Sequence, residues 1–440
     1  MQARIRYWTR LLSAFVKKFR IVLFAGMVFG LLLFVLANVL IPRIFVKNVE
    51  YIGLTGRYHT EELPLSILNL VGQGLTKTDE KGQAQPALAE SWETNEDGTQ
   101  WTFKLKSGIH WHDGTPVTAE TIQYSFEDTQ IERIDAYTIK FSLSAPFSPF
   151  PSIVSRPTFK KGLLGTGAWR ISGLKLAGSY VKEVSLVNPE GEKKIIRFYP
   201  SEDATKVAYQ LGQIDVVMDA VNPAPFDTWK NSDVEEVVRK DRIVTLFLNS
   251  ESPVFKGPEN KALRQALSYA IDKTSFAGPR ALGPISPGSW AYNPLVKDYA
   301  YDVARARDLV ENLETELRVN LATSPPLLGV AESIAVFWAE LGVKTDVHVV
   351  SILPEEYDAF LAIYDVAHDP DQYALWHTTQ TQINISKYSN PRIDKLLEDG
   401  RVELDFEERR RLYLDFQRFL LEDAPAVFLY HPMSYTITRK

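Results

Sequence analysis

Three tight turns, Asp97-Gly98, Ser107-Gly108 and Asp113-Gly114, fall within residues 88–123, and between the first two Trp101, Phe103 and Leu105 alternate with Thr102, Lys104 and Lys106. Period-two alternation bounded by such dipeptides dictates a half-buried antiparallel hairpin rather than a helix. After the third turn, Thr118 stands as an N-cap before Ile122 and Phe126, a spacing that predicts a helix. Further along, 243–248 (IVTLFL) reads as a buried strand, and Ala262, Leu263, Ala266, Leu267, Ala270 and Ile271 form an apolar helical stripe. Helices are also expected over 303–317, 330–341 and 406–421, so the chain is of the α/β class. It has no internal repeat.

The order of these elements resembles the peptide/nickel-type extracytoplasmic solute-binding proteins of ATP-driven importers, family 5. The resemblance continues in Gly165-Thr166-Gly167-Ala168-Trp169, in 263–273 (LRQALSYAIDK), in 388–397 (YSNPRIDKLL) and in 422–430 (EDAPAVFLY). It implies a periplasmic-binding-protein-like type II fold, two-lobed in the manner of a Venus flytrap, with a small inserted third lobe. Mapped onto this chain, lobe I comprises 43–73, 165–249 and 424–440, the inserted lobe 74–164, and lobe II 250–423. Compared with the family, the stretches 126–165 and 318–365 are short. The implied function is capture of an oligopeptide or similar extended solute between the lobes and its delivery to importer permease subunits, without catalysis.

Residues 21–41 form an uncharged apolar run which, at ~1.5 Å per residue, spans ~31 Å, close to the ~30 Å of a bilayer core. Arg4, Arg6, Arg10, Lys17, Lys18 and Arg20 precede it and the first acidic residue is Glu50, which places the N-terminus in the cytoplasm. The expectation is a cytoplasmic tail (1–20), a transmembrane helix (21–42) and an extracytoplasmic body. A cleavable signal peptide ending near Val35-Leu36-Ala37 is the alternative. Eight of the 49 basic residues lie before Glu50 and all 55 acidic residues from there on, so the body is acidic and ill suited to nucleic acid. The absence of cysteine excludes disulfides and thiolate metal sites, and also the lipidated cysteine that tethers many members of this family.

No P-loop, HExxH, GxSxG or GxGxxG pattern is present, so no cofactor is expected. In peptide-binding relatives, an aspartate four residues before a cleft-facing proline pairs with the ligand's α-amino group. That position is Val366 here, with Asp365 beside it as a substitute. The expected ligand-binding residues are Asn249 and Ser250 at the end of strand 243–248, and Asp365, His368, Asp369, Trp376 and His377. A nickel or metal-chelate receptor on the same fold is an alternative that would require His110, His112, His368 and His377 to converge. A non-transporting sensor or scaffold is another.

Overall fold

The computed structural model describes residues 17–21, 26, 30, 49–257, 260–311 and 317–440. The expected membrane span, 21–42, lies outside the described residues but for three positions. Among the described residues, no helix is long and apolar enough to cross a membrane.

Two sheets organise the body. The first has seven strands in the order Ser232–Val238, Met433–Arg439, Val216–Ala220, Val49–Thr55, Lys193–Tyr199, Tyr180–Val187 and Arg170–Ala177. Its central strand, Val49–Thr55, pairs in parallel on both sides, which requires both faces to be covered. Ile52 and Leu54 point to the core shared with helix Leu65–Val71, and Tyr51 to the one built around Ala208 and Tyr209 of helix Glu202–Gln210. Gly165 and Gly167 explain their motif: a Cβ on either would meet the Val71 or Leu70 carbonyl at 1.9 and 2.3 Å. Only glycine lets these two backbones lie against each other.

The second sheet has the order Lys344–Val349, Arg318–Thr323, Ala359–Asp365, Arg242–Leu248 and Ala426–Tyr430. Along Arg242–Leu248, Val244, Leu246 and Leu248 face one core with helices Lys261–Tyr269 and Leu328–Ala339, whereas Ile243 and Phe247 face another with helices Pro391–Val402 and Phe406–Asp423. The uninterrupted apolar run in the sequence is therefore a strand buried on both faces. A third, four-stranded antiparallel sheet, Ala89–Thr94, Gln100–Leu105, Thr138–Leu143 and Thr129–Asp135, forms the inserted lobe, with Trp101, Phe103 and Leu105 all buried in its core.

At two points the sheets divide the chain differently from the boundaries drawn above. Strand Arg242–Leu248 is bonded along its length to Ala359–Asp365, so the chain leaves the first sheet at 239–241 rather than near 249. It returns at 431–432, between Ala426–Tyr430 of the second sheet and Met433–Arg439 of the first, rather than at 424. The helix expected after Thr118 is a single turn. The Gln123 N–H bonds to the Thr158 hydroxyl and the Tyr124 hydroxyl to the Val154 carbonyl, drawing the chain away from a helical path. Of the helix expected over 303–317, the structure shows Val303–Val310, and 312–316 lie outside the described residues.

Candidate functional site

The carboxyl ends of Val49–Thr55, Val216–Ala220 and Ala359–Asp365 meet between the two large sheets, the place where α/β sheets present ligands. There a cavity of about 770 Å³ has a first-lobe wall that includes Tyr58, Leu65, Asn69 and Met218, and a second-lobe wall of residues 365–368. A continuation of about 600 Å³ shares Leu65, Asn69, Ala367 and His368, and reaches Tyr124 and Phe126 of the inserted lobe.

Charge is concentrated at the crossing. Strand Val216–Ala220 shifts register against Met433–Arg439 between Val217 and Ala220, and Asp219 takes a positive φ of 58°. Such a bulge re-aims a side chain, and Asp219 lines the cavity. Its carboxylate accepts from Arg239 and lies 3.6 Å from the Arg242 guanidinium. Arg239 is also held in a fork by Asp241, at 2.9 and 2.7 Å, and Arg242 donates to Asp365 at 3.0 Å. The Asp241 bond above all raises the Arg239 pKa, and that same bond holds the Asp241 carboxyl below its usual range. These five groups comprise three carboxylates and two guanidiniums, a surplus of negative charge. Burial, then Asp219, pushes the Tyr58 hydroxyl up, so it remains a donor, here to the Thr55 carbonyl at 3.2 Å.

Of the residues expected from sequence, Asp365 and His368 face the cleft. Asp369 borders its continuation, but both its oxygens are taken by Arg409, at 2.9 and 2.6 Å. Val366 is buried in the second-lobe core and its N–H donates to the Asp241 carbonyl at 2.7 Å, so the aligned position offers a ligand no charge. Trp376 is fully buried between Phe247 and Phe428. His377 is sealed beneath Tyr373, with Nδ1 accepting from the Thr379 N–H and Nε2 donating to Glu398 at 3.2 Å. Asn249 and Ser250 stand at the far end of a strand that begins at the crossing, about 20 Å away at ~3.3 Å per residue. There Asn249 donates to the Tyr357 carbonyl and the Ser250 N–H to that of Ser386.

Asp219, Arg239, Asp241 and Arg242 were not among the expected residues. In the sequence, 239–242 (RKDR) is a charge run opening an apolar strand, and such a run reads as solvated surface. The four histidines do not converge. His112 donates from Nε2 to the Gly167 carbonyl at 2.8 Å and accepts the Gly165 N–H at Nδ1, leaving neither nitrogen for a metal. Among the described residues, no group of three or more metal-ligating side chains is gathered.

Two α/β lobes joined by two short crossings around a lined cleft define a periplasmic-binding-protein-like solute binder. The chain belongs to the bacterial extracellular solute-binding proteins, family 5, whose middle-region model matches residues 83–384. The probable D,D-dipeptide-binding periplasmic protein of Escherichia coli K12 is 26% identical over 427 residues, covering 80% of this chain and 81% of that protein. A Campylobacter jejuni protein solved with Ni(L-His) superposes with a TM-score of 0.72 at 22% identity, over 90% of this chain and 94% of its own. A Helicobacter pylori ABC transporter-associated periplasmic binding protein solved with the peptide STSA gives 0.68 at 21%, over 89% and 94%.

The second crossing carries a pH dependence. His431 is buried, and its Nδ1–H donates to the Arg242 carbonyl at 2.8 Å. Burial pushes the imidazole below its ordinary 6.5, although that carbonyl works the other way. The unfolded chain therefore takes up this proton first. The stability present above about pH 6.5 falls as the pH drops through it toward the folded value. Melting curves between about pH 7.5 and 5 should fall less steeply for His431→Gln than for the parent, and parallel profiles would show that the group is not responsible.

Proposed function

We propose that the chain is a membrane-anchored receptor that captures an oligopeptide or similar extended solute in this cleft and presents it to the permease subunits of an ABC importer. The carrying observation is the cleft's lining: surplus carboxylate at the crossing suits an ammonium group, and apolar side chains toward the inserted lobe suit ligand side chains. The relatives named above for dipeptide and peptide ligands support the reading. With the aligned position occupied by Val366, the ammonium would go to Asp365 with Asp219 nearby. The apolar run at 21–42, with its basic flank, would be the anchor. The lobes would be 49–73 with 165–238 and 433–440 (lobe I), 74–164 (inserted lobe), and 242–430 (lobe II).

The test is to expose the full chain in detergent to a complex peptide digest, wash briefly, and identify what remains bound by mass spectrometry. Peptides of narrow length should be enriched; a folded protein that retains none refutes the proposal. For a retained peptide, Asp365→Asn should weaken binding about tenfold, the loss of one charge-assisted hydrogen bond. Unchanged affinity would place the ammonium elsewhere.

A further inference from the structure

The inserted lobe is fused to the first lobe and also touches the second. On the first-lobe side it is fixed by His112, whose N–H donates to the Gly165 carbonyl at 3.0 Å and whose Nε2 donates to the Gly167 carbonyl at 2.8 Å, and by the Thr158 N–H on the Gln73 carbonyl at 3.0 Å. It crosses the cleft at two places. The turn joining Thr76–Thr78 to Ala84–Pro86 reaches residues 286–290 and 368, where the Trp290 N–H donates to the Lys81 carbonyl at 3.0 Å. Gly82 lies so close there that a Cβ would stand 2.3 Å from the His368 carbonyl oxygen. In the second place, the Ser148 N–H donates to the Arg401 carbonyl at 2.7 Å and its hydroxyl to that of Gly400 at 3.3 Å, while the Arg401 guanidinium lies 5.1 Å from the Phe147 ring.

We infer that the inserted lobe is a latch, which holds the two main lobes together without a ligand and must release before a solute can enter or leave. Were the two lobes joined only through 239–241 and 431–432, they could part by changes in a few backbone angles. With the inserted lobe rigid on one and bonded to the other, parting also breaks three hydrogen bonds and a cation–π contact. Gly82 is the positioning residue, because any side chain there pushes against the His368 carbonyl next to the cleft.

The chain has no cysteine, so Asp233→Cys and Glu251→Cys place two spin labels, one on each main lobe, in an otherwise thiol-free protein. Their separation is measured by pulsed electron resonance on the full chain in detergent, with no ligand added. Gly82→Ala is compared with Gly114→Ala. Both glycines have φ of +81° and lie in the same lobe, but a Cβ at 114 meets nothing within 4 Å. Backbone strain is thus common to both variants, and only the first disturbs the contact. The parent should show a single short separation, unchanged in Gly114→Ala. Gly82→Ala should populate a longer separation, its closed-to-open ratio falling about tenfold, and Phe147→Ala at the other contact should shift it the same way. A parent already open, no shift in Gly82→Ala or Phe147→Ala, or an equal shift in Gly114→Ala would each overturn the latch. None of these readings depends on the identity of the solute, so the result stands apart from the peptide proposal.

Discussion

Arg409→Met is expected to destabilise the second lobe by about 3–5 kcal/mol, the usual cost of removing one partner from a buried ion pair. Arg409 and Asp369 have side chains only 9% and 10% exposed, joined in a fork at 2.6 and 2.9 Å. The guanidinium also donates to the Gly400 carbonyl at 2.9 Å and lies within 5.4 Å of the Trp290 and Tyr413 rings. Burial opposes its charge and Asp369 more than offsets this, so its pKa stands above the usual value. Methionine fills much of the volume but leaves the buried carboxylate without its cation, only the Asp371 N–H still donating to it at 3.0 Å. Denaturant titration followed by tryptophan fluorescence measures the loss, Trp290 being the reporter beside the site. The double variant Asp369→Asn, Arg409→Met should recover part of it, since an amide costs less to bury than a carboxylate. Losses that simply add would mean that the two residues act independently.

Lys273→Met should cost a similar amount, about 3–5 kcal/mol, through unsatisfied acceptors rather than an unpaired charge. Lys273 is 3% exposed, and its ammonium donates to the carbonyls of Ser268 at 2.6 Å, Ile271 at 3.2 Å and Tyr299. Ser268 lies in the last turn of helix Lys261–Tyr269, Ile271 just beyond it and Tyr299 in a distant segment, so one side chain caps a helix and ties it to the loop before Val303–Val310. Burial pushes the lysine down to about 7, with Arg280 adding to the effect. Each orphaned buried carbonyl costs about 1–3 kcal/mol, and partial relaxation keeps the total below the sum. Hydrogen exchange over residues 261–275 and the unfolding midpoint should both change. A loss under about 1 kcal/mol would mean that water replaces the ammonium.

Most of the architecture was legible because it rests on periodicity. The alternation at Trp101, Phe103 and Leu105 became a hairpin strand, and 243–248 became a strand with all six of these residues fully buried. The crossings were not legible. A strand buried on both faces is interior to some sheet, but its residues do not say which one, and the boundary slipped by the length of that strand. The expected site residues scattered for a related reason: Asp369, Trp376 and His377 are polar or aromatic residues in the right neighbourhood whose partners come from helices Pro391–Val402 and Phe406–Asp423 and from strands Arg242–Leu248 and Ala426–Tyr430. Asp219 needs a bulge to reach the cleft, and a bulge leaves no mark in VVMDA.

The position of Met433–Arg439 bears on how the protein is made. It is inserted between Val216–Ala220 and Ser232–Val238, so the first sheet cannot close until a strand that follows the whole of the second sheet in the chain arrives. Until then two strands present unpaired edges, the form in which sheets join to other chains. A chain cut before residue 433 should accordingly aggregate rather than yield a smaller folded receptor.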